Sequence, residues 1–344
     1  MKKNTVLYIV LFVALAVVAT VLVLKRSEST LPKALTDFAV EDTSQVTHIH
    51  LTDHFKNDIT LERKGPGWWR VNNKYDVKQR AMETLLETIK EVKVKNPIPG
   101  PSRDNVIKDL AVNGIMIEIY KGADLVKCYF VGSSTANDEG TLMMIKGSSE
   151  PYVTEIPGFV GYLTTRYITK EQEWRSSAIY HLNPSEITEI QVKYMGNPAE
   201  SFKLNVQDNQ YMVSGVDGAK PAVKMNQLLA KKYLVGYKAI NFEVFPQLSQ
   251  GEKDSILLQP PYATLNVTTT QGKQPTLKLY PKPADIKTKD INKDNMDMNR
   301  FYATIGDNSK EIVMVQTYVI GRLMATYNDL ATGKGVKLPN GQDM

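Results

Sequence analysis

Residues 46–51 read Val46-Thr47-His48-Ile49-His50-Leu51, and residues 187–192 read Ile187-Thr188-Glu189-Ile190-Gln191-Val192. In both, apolar side chains alternate with polar ones, the period of a strand that buries one face. Downstream of each stretch, further segments recur in the same order. Trp69-Arg70-Val71-Asn72 matches Tyr211-Met212-Val213-Ser214, and Met82, Leu85 and Leu86 match Met225, Leu228 and Leu229. Ile115, Ile117 and Ile119 match Ala263, Leu265 and Val267; Val153, Gly161, Leu163 and Tyr167 match Val313, Gly321, Leu323 and Tyr327. The spacing between partners widens along the chain, as it would where loops have lengthened. An ordered series of this kind predicts one module present twice.

Within the first copy, Ile59–Arg63 reads as a second strand, followed by a turn at Gly65-Pro66-Gly67 and a third strand carrying Trp68, Trp69 and Val71. A helix is expected from Val77 to Val92, because Met82, Leu85, Leu86 and Ile89 form one stripe. Asn96-Pro97-Ile98-Pro99-Gly100-Pro101 reads as a connector, since proline suits neither a helix interior nor a central strand. Its counterpart in the second copy is taken as Gln259-Pro260-Pro261. Asp104–Leu110 is expected as a short helix, 115–120, 125–131, 141–145 and 152–156 as strands, and 158–167 as helical. Residues 281–299 form an insertion in the second copy rich in Lys, Asp and Asn.

At the N-terminus, residues 5–24 (TVLYIVLFVALAVVATVLVL) carry no charge and are long enough to span a bilayer as a helix. Lys2, Lys3, Lys25 and Arg26 flank them. The competing reading is a cleaved signal peptide, but those have shorter apolar cores ending at small residues. We therefore expect an uncleaved anchor, the N-terminus in the cytoplasm and 27–344 outside it. The expected fold class is α+β: an N-terminal transmembrane helix (1–26), two tandem duplicated modules of antiparallel sheet with a packed helix (31–168 and 178–330), and a flexible tail (331–344). Residues 1–26 hold four of the 42 basic residues and no acidic one, which leaves 38 against 37. So balanced a domain offers no electrostatic case for nucleic acid.

Several segments resemble the domain-of-unknown-function 4340 family: the N-terminal span, the strand entry 38–51, and Gly67-Trp68-Trp69-Arg70-Val71-Asn72 ahead of an amphipathic helix. Tyr129-Phe130-Val131-Gly132, Pro151-Tyr152-Val153, Leu163-Thr164-Thr165-Arg166-Tyr167 and Trp174-Arg175 fit the same pattern, so the resemblance covers about residues 35–330. It implies a bacterial envelope protein associated with an ABC-type transporter. The family has no established activity, so no catalytic residue carries over.

Chemistry is sparse. One cysteine, Cys128, excludes an intrachain disulfide and reads as a structural thiol. His48, His50 and His54 cluster; two histidines at period two could hold a metal, but here they fall on the face opposite Ile49 and Leu51 and read as a solvated strand face. Asp290-Ile291-Asn292-Lys293-Asp294 starts like a calcium loop but has Asn295 and Phe301 where glycine and glutamate are needed. No serine-nucleophile elbow or phosphate loop occurs. Trp69, matched by Tyr211, is expected in the core. Trp68, matched by Gln210, is expected at the surface, as a binding anchor or beneath a helix. Arg166, Trp174 and Arg175 lie near the junction of the copies and are the other binding candidates. No catalytic residue, cofactor or metal is assigned. The expected function is non-enzymatic: an accessory or scaffold protein in the bacterial inner membrane, single-pass, with its bulk in the periplasm. Its partners would be the lipid bilayer through 5–24 and an envelope complex, an ABC-type transporter among the candidates. The alternative is a binding module for glycan, peptide or lipid in a cleft between the modules.

Overall fold

A computed structural model describes residues 36–286, 288–292 and 294–333. The expected anchor at 5–24 and nearly all of the expected loose tail, 334–344, lie outside the described residues. Among those described, no helix is long and apolar enough to cross a membrane. The class is α+β, with two large antiparallel sheets. The chain divides into two compact units at Ser176/Ser177, between the two expected modules.

The first unit contains β1 (His48–Thr52), β2 (Asp58–Gly65), β3 (Trp68–Val71), β4 (Tyr75–Asp76), helix α1 (Gln79–Glu91), β5 (Lys93–Pro97), helix α2 (Gly100–Asn113), β6 (Ile115–Lys121), β7 (Asp124–Ser134), β8 (Thr141–Ile145) and β9 (Tyr152–Glu155). The sheet runs β4-β3-β2-β1-β6-β7-β8-β9-β5. Trp69, Val71, Ile49, Leu51, Ile117 and Ile119 bury one face against Met82, Leu85 and Ile89 of α1. On the other face α2 covers β7 and β8. There Leu110 is fully buried against Gly132, which follows core residue Val131 and so points the opposite way.

The second unit contains β10 (Ala178–Tyr180), β11 (Ile187–Tyr194), β12 (Phe202–Gln207), β13 (Gln210–Gly215), β14 (Val223–Lys224), helix α3 (Gln227–Val235), β15 (Ile240–Asn241), helix α4 (Gln250–Leu258), β16 (Ala263–Thr269), β17 (Gly272–Lys273), β18 (Leu277–Pro283), β19 (Met296–Ile305) and β20 (Val313–Gln316). Its main path is β14-β13-β12-β11-β16-β18-β19-β20, the order of the first sheet strand for strand. The registers also correspond. Ile49 pairs with Leu61 and Ile119; Ile190 pairs with Leu204 and Val267. Where β5 pairs with β9, Val244 bridges to Met314 of β20.

Three expectations are corrected. First, Leu228 is not the counterpart of Leu85: Leu85 is fully buried, whereas Leu228 is 79% exposed. Asn226, whose side chain accepts hydrogen bonds from the backbone N–H groups of Leu228 and Leu229, caps α3, so the helix starts at Gln227. Aligned by their first residues, Met82, Leu85 and Ile89 fall on Ala230, Tyr233 and Tyr237, all buried. The same spacing relates β6 to β16. The extra residues therefore precede α3 and are not spread through the helix. Second, the proline-rich connector is itself structured. Lys93–Pro97 is the outermost strand, a position that tolerates proline, and Pro99-Gly100-Pro101 opens α2, where a first-turn proline leaves no bond unmade. Its counterpart is the segment before α4; Gln259-Pro260-Pro261 follows α4 and so corresponds to Gly114. Third, of residues 158–167 only Thr164–Arg166 forms a helical turn, and Gly158 and Gly161 adopt positive φ.

Candidate functional site

The face of the first sheet away from α1, where α2 leaves it uncovered, carries two rows of polar side chains. They face away from α1 because they alternate with the core residues on β1, β2, β3 and β6. One row runs Thr60–His50–Glu118–Cys128 across β2, β1, β6 and β7. His50 Nδ1 lies 3.2 Å from Glu118 Oε2, and Nε2 lies 2.8 Å from Asp58 Oδ1. The second Glu118 oxygen lies 3.5 Å from Lys146 Nζ and accepts weakly from the Cys128 thiol at 3.9 Å. Burial opposes charging His50, but the hydrogen bonds to Glu118 and Asp58 outweigh it and hold the imidazole above its ordinary range. Burial also opposes ionising Glu118, and the bonds from His50 and Tyr120 with the nearby Lys146 charge overcome it, so its carboxyl sits low. Burial pushes the Cys128 thiol up, with Lys146 working against that shift.

This row is an ion-paired clip. Both imidazole nitrogens are engaged, each by a different carboxylate, and the thiol contacts the carboxylate and not the imidazole. The second row, Asp76–Arg70–Glu62–His48–Tyr120, includes His48 stacked on Tyr120 with centroids 4.1 Å apart. His54 lies in the β1–β2 turn against Phe55. The three histidines share no metal geometry, and no group of three ligating side chains that could hold a metal occurs among the described residues.

Trp68 is on this face, 51% exposed, its indole N–H donating to Asp76 Oδ1 at 2.9 Å. Arg70 Nε lies 4.0 Å from the same oxygen. The other three sequence candidates are engaged in the interior of the unit or at its margin. Trp174 is fully buried and donates to the Ile168 carbonyl at 2.8 Å. The Arg175 guanidinium lies 3.5 Å from the centre of the Tyr75 ring, and Arg175 bridges Val77. Arg166 stacks on Phe159 and donates to Thr88 Oγ1 at 3.1 Å. Trp174 offers no surface to an external ligand.

In the second unit, the 281–299 insertion extends β18 and β19 and is held by Lys282. Its Nζ lies 2.8 Å from Asp285 Oδ2 and 3.3 Å from Asp297 Oδ2, with side-chain exposures of 8% for Lys282 and 2% for Asp297. Burial opposes charging Lys282, and the two carboxylates overcome it and raise its pKa. Asn292 Oδ1 accepts from the backbone N–H groups of Asp294 and Met296, a local turn where a calcium loop would turn its oxygens inward. A cavity of about 430 Å³ beside the clamp is lined by Leu248, Ile256, Tyr302 and Lys282 among others. Sequence reasoning missed Glu118 and Asp297. Nothing near either in sequence announces its partner; only the cross-strand register does.

No family model, no curated protein and no solved structure matches the chain.

Proposed function

We propose that this chain is a membrane-anchored, extracytoplasmic, non-enzymatic scaffold or accessory protein of a bacterial envelope complex. The observation that carries the reading is the repeated architecture: two units share an eight-strand order and core register. Duplication of one module supplies two related surfaces for holding partners and calls for no reacting group. The uncharged run 5–24 supports the membrane location. The resemblance of residues 35–330 to the domain-of-unknown-function 4340 family supports a transport-associated partner, an ABC-type transporter being the first to test. The side chains best suited to chemistry are committed to internal pairs: His50 between two carboxylates, Lys282 between two more. The test is deletion of the gene followed by native gel electrophoresis of the membrane complexes. Loss or a size change of one complex is expected; a pattern identical to wild type overturns the scaffold reading.

A further inference from the structure

Helices α1 and α3, matched by their first residues, differ in a way that the shared fold does not require. In α1 the solvent side presents Arg80, Glu83, Glu87, Lys90 and Glu91, a mixed face with one acidic charge in excess. The same positions of α3 and the turn after it hold Leu228, Lys231, Val235, Lys238 and Ala239, with Lys232 beside them. From Gly218 to Phe242 the chain has five lysines and no acidic residue. Leu228 is 79% and Val235 56% exposed. At about 100° per residue, Leu228, Lys231, Lys232, Val235 and Lys238 fall on one arc, opposite the buried Ala230 and Tyr233.

The neighbours leave this face positive. The Pro184–Glu186 turn packs against α3 and brings one acid, Glu186, and the segment 330–333, which borders Leu228 and Lys232, brings none. Arg322 adds a positive charge, since a methyl group at Gly236 would lie 3.4 Å from its side chain. Lys220 is spoken for, 3.5 Å from Glu200. Among the described residues, Lys224, Lys231 and Lys238 form no ion pair. Lysines flanking two exposed aliphatic side chains on one helix face match the chemistry of an anionic lipid surface, where the charges meet phosphates and the apolar groups enter the headgroup boundary.

We propose that the exposed face of α3, centred on Leu228, Lys231, Val235 and Lys238, docks on the anionic phospholipid headgroups of the bilayer. The inference rests on the reading that residues 5–24 hold the chain at a membrane, and the test separates the two. The full-length chain carrying Cys128→Ser and Val235→Cys, labelled with an environment-sensitive fluorophore, is reconstituted in phosphatidylcholine vesicles with and without phosphatidylglycerol. Leu228→Cys reads the same face independently. With phosphatidylglycerol the probe should shift to the blue and be shielded from aqueous iodide; without it the probe should remain water-exposed. Lys231→Gln and Lys238→Gln should each lower the docked population about fivefold, and added salt should lower it further. A water-exposed probe in both vesicles overturns the docking proposal. So does shielding that requires an added acidic protein and not phosphatidylglycerol. Retention of the chain on pure phosphatidylcholine vesicles through an alkaline wash reads the anchor separately, whatever the probe reports.

Discussion

At the scale of single residues, the pairs around His50 and Lys282 make opposite kinds of prediction. His50 has its pKa raised on folding above the ordinary 6.5. Its contribution is therefore complete below that ordinary value and is lost as pH rises through the raised one. Glu118 has its pKa lowered from 4.5, so its contribution is complete above that value and is lost as pH falls through the lowered one. Urea unfolding followed across pH should show the first unit most stable between these limits. His50→Gln should remove the alkaline-side loss at a cost of about 1 kcal/mol, since the pair is partly solvated. Lys282 is different because Asp297 beneath it is almost fully buried. Lys282→Met should destabilise the second unit by roughly 3 kcal/mol, the cost of a stranded buried charge. Adding Asp297→Leu should recover most of that loss in the same unfolding assay. An unchanged midpoint for Lys282→Met would contradict the clamp.

At the scale of elements, the packing of α2 depends on one glycine. A methyl group at Gly132 would come within 2.6 Å of Leu110 Cδ2 and 3.2 Å of the Leu142 carbonyl oxygen. Gly132→Ala should cost about 1–3 kcal/mol by thermal or urea unfolding. The cost should shrink in a Leu110→Ala background, because the clashing atom is gone. A helix terminus gives a second test: Ser249→Ala removes half of the Ser249/Glu252 capping box of α4 and should cost about 1 kcal/mol. The elements legible in the sequence are those whose pattern is local. Alternation identifies β1 and β11, and the Met82–Ile89 stripe identifies α1. Trp69 and Tyr211 go to the core and Trp68 to the surface on their repeat positions, and their exposures of 3%, 5% and 51% agree. The α3 alignment misleads because Met-x-x-Leu-Leu occurs in both copies. The signal that corrects it is Asn226, a strong capping residue between Met225 and the helix.

At the scale of the whole molecule, the strand order explains what sequence could and could not reach. A repeat in sequence implies a repeat in topology, and the two sheets share that topology. The site chemistry is less legible because its partners are brought together by register. His50 and Glu118 are 68 residues apart, and Arg166 meets Thr88 across 78. Trp174 and Arg175 stand out as aromatic and basic residues near the junction of the copies, yet burial decides Trp174's role, and burial is not written locally. Conversely, the exposed lysine face of α3 cannot be recognised until α3 is aligned with α1 by its true start. The proposed role of the whole molecule is to be anchored in a membrane and to hold a partner there. The most direct measurement is purification of the tagged full-length chain from its native membrane in mild detergent, with mass spectrometry of what stays bound. A scaffold role predicts a stoichiometric envelope or transporter subunit in the eluate. A chain recovered alone from that membrane, in repeated preparations, would contradict it.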